Sequence, residues 1–135
     1  MQTKRPFEFS SRARSFKYAG RGIWLTVKSQ HNAWIHALAT VAVAIAGYLL
    51  RISRIEWSII ALTCASVWAA EALNTAVEHL ADATTKEFHA DIGRAKDIAA
   101  GAVLITALAA VLVGLLVFGP HLLVLIRTSN WHLGS

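Results

Sequence analysis

The sequence predicts an all-α membrane protein: three transmembrane helices preceded by an N-terminal amphipathic surface helix, in a single domain over residues 1–135. Three observations carry this. Charged residues are only 16% of the chain and hydrophobic ones 56%, against about 25% charged in an average soluble domain. The apolar residues are gathered into three long runs rather than spread in amphipathic stripes, as a soluble bundle would need. Seven of the 13 Lys and Arg (Lys4, Arg5, Arg12, Arg14, Lys17, Arg21 and Lys28) stand in the first 28 residues, directly before the first run.

The surface helix is expected over about 10–29. Phe16, Ile23, Trp24 and Val27 recur at helical spacing, with Arg14, Lys17, Arg21 and Lys28 around them. A helix lying in the headgroup plane with its apolar side down has this pattern. Gly20 and Gly22 weaken it, each by about 1 kcal/mol relative to Ala, and predict a bend or interruption. Clustered basic residues also attract nucleic acid, but these adjoin a hydrophobic span, where anionic headgroups account for them. No nucleic-acid partner is expected. Met1 to Arg14 lacks the apolar core of a signal peptide, so the spans themselves are expected to direct insertion.

The spans are expected over about 31–50, 55–81 and 93–118. Ala33 to Leu50 has no formal charge, Ile55 to Ala70 carries only Glu56, and Ile98 to Ile126 carries none. About 20 predominantly apolar residues cross a hydrocarbon core of about 30 Å. Ser53 and Glu56 fit a capping box opening the second span, which gives Glu56 a structural role. Pro120 beside Gly119 is expected to end or kink the third span, leaving a polar tail over 127–135. Cys64, the single cysteine, lies within an apolar run and reads as a packing residue. With the N-terminus inside, ten basic residues fall on the cytoplasmic side and three (Arg51, Arg54 and Arg127) outside. The positive-inside rule therefore places the N-terminus in the cytoplasm; the expected location is the bacterial inner membrane.

The second span carries the residues with chemistry. Glu71, Asn74, Glu78 and Asp82 point in directions of about 0°, 300°, 340° and 20° around a helix. They form one polar stripe. Glu71 lies about 24 Å along the helix from Ile55 and Glu78 about 35 Å, so the stripe begins inside the inner leaflet and emerges at the cytoplasmic headgroups. A charged helix end leaving the bilayer would account for Asp82. It does not account for Glu71, which apolar residues of the same helix flank and which is costly within a span. The third span starts on the same side with Gly93-Arg94-Ala95-Lys96-Asp97, bringing Lys96 and Asp97 near the stripe. A positive-inside anchor with a dipole-favoured Asp explains that pair on chemistry alone. Yet carboxylates, an amide and a lysine at a membrane surface can also bind Mg²⁺ and polyphosphate. No phosphate-binding G-x-x-x-x-G-K-[ST] loop, protein-kinase motif set or H-E-x-x-H spacing occurs, and His79 points off the stripe by about 100°.

Two blocks, Glu71-Ala-Leu-Asn74-Thr-Ala-Val-Glu78-His-Leu-Ala-Asp82 and Gly93-Arg-Ala-Lys96-Asp97-Ile-Ala-Ala-Gly101-Ala-Val-Leu, resemble the prokaryotic diacylglycerol kinase family, which includes the undecaprenol kinases. The likeness runs from about Phe16 to about Phe118. Phe16-Lys-Tyr18, Ile35-His36 and Leu50 to Trp57 look closer to the undecaprenol-kinase branch. The resemblance implies a homotrimer with a site shared between subunits. It implies transfer of the ATP γ-phosphate to a membrane-lipid hydroxyl, with Mg²⁺ as cofactor. Glu71 then matches the general base and Glu78 a metal-coordinating carboxylate. Asn74, Asp82, Lys96 and Asp97 match residues around the nucleotide phosphates; Arg14, Phe16 and Tyr18 match a nucleotide-side stretch. Where the family commonly has a second metal-ligating Glu before the first span, this chain has Gln30, whose amide oxygen can ligate Mg²⁺ but brings no charge; Gln30 is expected as a metal ligand beside Glu78. Two other readings of the same stripe are a small proton- or cation-coupled transporter subunit using Glu71 and a non-catalytic membrane assembly protein. Small-residue spacings such as Ala42/Ala46 would serve helix packing in any of the three.

Overall fold

In the computed structural model, residues 9–29, 31–84, 87 and 89–131 are described. They form four helices: α1 (Phe9–Ser29), α2 (His31–Leu49), α3 (Arg54–Thr84) and α4 (Ala90–Trp131). No strand occurs among the described residues. Helices α2, α3 and α4 are each long and apolar enough to cross a membrane. The three-span, all-helical architecture is as expected. α1 runs unbroken through Gly20 and Gly22, so the expected interruption does not occur.

α3 is the central helix and touches the other three; its longest packing is with α4. Two ion pairs show that α3 and α4 are antiparallel. Glu56 near the start of α3 lies 3.8 Å from His121 late in α4, and Asp82 at the end of α3 lies 3.3 Å from Lys96 early in α4. At the Glu56–His121 end, Ile52 and Ile60 pack with Val117 as a small buried core. Along α2 and α3 the matching contacts are Gly47 with Trp57, Thr40 with Trp68 and His36 with Glu71. That pair is antiparallel too.

The turn between α2 and α3 is built by local rules. Arg51 N–H donates to the Tyr48 carbonyl at 3.3 Å and Ile52 N–H to the Gly47 carbonyl at 3.2 Å. These are the two bonds of a Schellman cap. Its left-handed residue is Arg51, with φ of 52°, where Gly is the usual choice. Ser53 and Glu56 then form the capping box: Ser53 N–H donates to Glu56 Oε2 at 2.6 Å, and Glu56 N–H to Ser53 Oγ at 3.3 Å. Gly47 is where the two helices meet most closely. A Cβ there would stand 2.9 Å from the Trp57 ring and 3.0 Å from Ile52 Cδ1. Gly47→Ala is therefore expected to destabilise by about 1–3 kcal/mol through overpacking. Thermal unfolding in detergent measures this, and an unchanged midpoint would show that the indole ring moves aside freely.

α4 departs from expectation. Its 42 residues run through Pro120 to Trp131, so the helix does not stop near residue 118 and residues 127–131 of the expected polar tail are helical. Pro120 removes one N–H donor, whereas ending the helix there would strand the backbone groups of the apolar residues that follow, and lipid offers those groups no partner. His121 Nδ1 also lies 3.0 Å from the Val117 carbonyl oxygen, one turn back. At 1.5 Å per residue α4 is about 63 Å long, longer than a whole bilayer of about 40–45 Å. Part of it stands outside the membrane.

Little of the spans is covered within one chain: 6% of the α4 window and 11% of that in α2 is buried. Ile105, Leu108, Leu112, Leu115 and Leu116 are each more than half exposed. Apolar surface this continuous is disfavoured in water. Lipid tails or other helices must cover it.

Candidate active site

The larger buried apolar side chains and the buried polar ones gather toward different ends of the bundle. Buried apolar Ile52, Ile60 and Val117 lie toward the α2–α3 turn, whereas the buried polar side chains, Thr26, Glu71, Asn74 and Thr75, gather toward the other end. Burying a polar group without a partner costs about 1–3 kcal/mol by mutational measures. A concentration of them needs a reason beyond packing.

Glu71 is 1% exposed, the largest fully buried side chain among the described residues. It faces α2 across its contact with His36. His36 Nε2 stands 2.9 Å from Glu71 Oε1. The distance is that of an ion pair, but the contact lacks hydrogen-bond alignment, and Oε1 receives no aligned donor. One turn on, Asn74 is 7% exposed and its Nδ2 donates to Glu78 Oε1 at 3.0 Å. Asn74 Oδ1 is buried and, among the described residues, accepts from no donor. Thr75, adjoining them, spends its hydroxyl on the Glu71 carbonyl at 2.9 Å. The stripe predicted from spacing therefore exists as one face, with Glu71 deepest and Glu78 half-buried.

At its mouth Asp82 meets Lys96 Nζ at 3.3 Å, with the side chains 74% and 41% exposed. An exposed pair of this kind is worth about 0–1 kcal/mol. The lysine is thus held near the stripe without being committed, and an arriving phosphate can take it over. Asp97 is exposed beside it. These five residues, Glu71, Asn74, Glu78, Asp82 and Lys96, run from a buried carboxylate to an exposed ammonium. Arg14 and Tyr18 are exposed on α1, and among the described residues no hydrogen bond or ion pair ties them to the stripe. Gln30 lies outside the described residues. His79 lines a separate crevice of about 190 Å³ between α1 and α3, with Gly22, Thr26 and Thr75, off the stripe as its spacing predicted.

His36 is the residue that sequence reasoning passed over. It enters the sequence reading only in the pair Ile35-His36 of the family resemblance, although an ionisable residue inside a span is itself a signal. It also lines a half-open apolar crevice of about 80 Å³, with Ala39, Thr40, Val43, Cys64, Val67 and Ala110. Thr40, one of its lining residues, is tied to both helices: Trp68 Nε1 of α3 donates to Thr40 Oγ1 at 3.2 Å, and Thr40 Oγ1 to the His36 carbonyl at 2.7 Å.

Comparison with known proteins bears on this arrangement. The profile of the prokaryotic diacylglycerol kinases matches residues 17–118. The chain belongs to that family. The matched region holds every residue of the stripe together with Lys96 and Asp97, and it stops just before Pro120. Among curated relatives, undecaprenol kinase of Bacillus subtilis (strain 168) is 46% identical over 109 residues, covering 81% of this chain and 89% of that protein. A diacylglycerol kinase of Synechocystis is 42% identical over 110 residues, 81% of this chain and 63% of that protein. A diacylglycerol kinase of Helicobacter pylori (strain ATCC 700392 / 26695) is 29% identical over 127 residues, 88% of this chain and 95% of that protein. The resemblance seen in the two sequence blocks, and its span from about Phe16 to about Phe118, agree with the family match.

Among the described residues no three His, Cys, Asp or Glu side chains converge as a metal cage. Mg²⁺ does not require one, since one or two carboxylates plus substrate phosphates are its usual set. The stripe fits such an ion. Glu78 is a carboxylate at the right level, and the buried Asn74 Oδ1 is an oxygen acceptor lacking a donor among the described residues.

Proposed function

We propose that this chain is an ATP- and Mg²⁺-dependent lipid kinase of the cell membrane that phosphorylates the hydroxyl of a lipid alcohol, with undecaprenol as acceptor and undecaprenyl phosphate as product. The observation that carries it is a fully buried carboxylate, Glu71, one and two turns inward of an amide and a second carboxylate on the same face of α3, with Lys96 of α4 at the mouth. Phosphoryl transfer asks a protein mainly for positioning and charge neutralisation. In the proposed reaction the acceptor oxygen bonds to the γ-phosphorus as the bond to the β–γ bridging oxygen breaks and ADP leaves. The hydroxyl proton passes to Glu71, which must lie within hydrogen-bond reach of it. Lys96 and Asn74 serve the phosphates, with Asp82 and Asp97 at the rim. Mg²⁺ held by Glu78 supplies charge neutralisation on the polyphosphate.

Two things favour undecaprenol over diacylglycerol. The Bacillus relative is named for that lipid and is covered over 89% of its length. The crevice that His36 and Thr40 line is almost wholly apolar, and the Thr40 hydroxyl already bonds within the protein. A polyprenol carries one hydroxyl on hydrocarbon, whereas the two ester carbonyls of diacylglycerol would meet a mostly apolar lining there. The purified protein in detergent is expected to phosphorylate undecaprenol at least tenfold faster than diacylglycerol at equal bulk concentration. Equal or reversed rates would overturn the acceptor assignment and leave the kinase standing.

A homotrimer with its nucleotide site shared between subunits belongs to the same proposal. It is supported by the apolar faces of α2 and α4 left open within one chain and by the exposure of Asp82 and Asp97 at the mouth. The basic N-terminal segment argues for a cytoplasmic N-terminus, on the side where ATP is found. Transport has less in its favour: the stripe lies toward one end of α3 rather than at a midplane site.

A further inference from the structure

We infer that His36 is a positioning residue for Glu71: its imidazole holds one carboxylate oxygen so that the other faces the lipid hydroxyl. This rests on the kinase reading above and adds to it a residue from a different helix.

Three observations converge. First, Glu71 is 1% exposed, and His36 Nε2 at 2.9 Å from Oε1 is its one ion-pair partner among the described residues. A buried carboxylate needs a donor, and helix α2 brings an imidazole nitrogen within reach of it. Second, the ring is 18% exposed and forms part of the apolar crevice with Ala39, Val67 and Ala110. One side chain thus touches both the carboxylate and the space where a hydrocarbon chain would lie. Third, the ring's backbone is anchored. Thr40 Oγ1 donates to the His36 carbonyl at 2.7 Å, and Trp68 Nε1 on α3 donates to Thr40 Oγ1 at 3.2 Å. That bridge sets the α2–α3 spacing one turn from the pair.

The chemistry follows from which oxygen is left. With a proton on Nε2, the ring donates to Oε1, and Oε2 keeps its lone pairs for the hydroxyl proton. Without the ring the carboxylate can rotate, and a displacement of about 1 Å at a reacting group can cost about 100-fold in rate. The contact lacks hydrogen-bond alignment in the free protein; such bonds commonly tighten only when substrate is bound.

The test separates the amide that can replace Nε2 from the one that cannot. Gln places its amide nitrogen near the position of imidazole Nε2, and Asn places its own near Nδ1. His36→Asn and His36→Ala are expected to lower kcat for lipid phosphorylation about 10- to 100-fold, with KM for ATP within twofold of wild type. His36→Gln is expected to recover at least tenfold over His36→Asn. Asn and Gln variants of equal activity, or a His36→Asn protein within twofold of wild type, would overturn the inference. A KM-dominated loss would do the same. A readout independent of turnover is the imidazole ¹⁵N spectrum of His36, whose Nε2 resonance is expected to shift in Glu71→Ala. No shift would mean that the two groups do not interact. Wild-type protein inactive toward every lipid alcohol would sink the kinase reading instead, and the spectrum would still report on the pair.

Discussion

Replacing Glu71 with Gln is expected to lower kcat for lipid phosphorylation by about 10²- to 10⁴-fold, the usual contribution of a positioned general base. At 1.36 kcal/mol per factor of ten, that is about 3–5 kcal/mol of barrier. The substitution suits the question because the site is buried. Gln matches Glu in shape, so the packing of α2 against α3 survives, and an amide avoids placing a charge in a low-dielectric interior. ATP binding is expected within a fewfold of wild type, since the nucleotide side of the stripe begins a turn further out at Asn74. The measurements are steady-state phosphorylation of undecaprenol and ATP binding on the same folded preparation. A Glu71→Gln enzyme with undiminished turnover would remove Glu71 from the chemistry.

The second large effect is expected at Glu78. Glu78→Gln keeps an oxygen facing outward but loses the charge that an Mg²⁺ ion would bind. A loss on the order of 100-fold in kcat/KM for the nucleotide is expected, equivalent to about 2.7 kcal/mol, together with a higher Mg²⁺ concentration for half-maximal rate. Partial recovery at high Mg²⁺ distinguishes weakened ion binding from a collapsed site. Chelation of Mg²⁺ from wild-type protein should abolish transfer, and restoring the ion should return it. A variant with the wild-type Mg²⁺ dependence would show that Glu78 is not the ligand. Asn74, whose Nδ2 holds Glu78 Oε1 at 3.0 Å, makes the two positions coupled, so their substitutions are not expected to add.

What could be read from sequence had a one-dimensional signature. The three spans followed from uncharged run length, the capping box from Ser53 and Glu56, and the shared face of Glu71, Asn74, Glu78 and Asp82 from helical spacing within one helix. The end of α4 was misplaced because the usual proline rule weighs one lost hydrogen bond against water as the alternative partner. In lipid the alternative is no partner, and the helix continues. Arg14 and Tyr18 were assigned from the family pattern alone, and the bonds that hold the stripe do not include them.

The sequence by itself determined the class of protein, the number of spans and the composition of the polar face. All of these depend on residues near one another in the chain, where period and hydropathy are enough. Only the tertiary structure decided that Glu71 is sealed from solvent, that His36 from α2 meets it, that Lys96 crosses to Asp82, and that Gly47 lets Trp57 close the α2–α3 turn. Those facts depend on how far apart and in what rotation separate helices pack, which no periodicity within a single helix encodes.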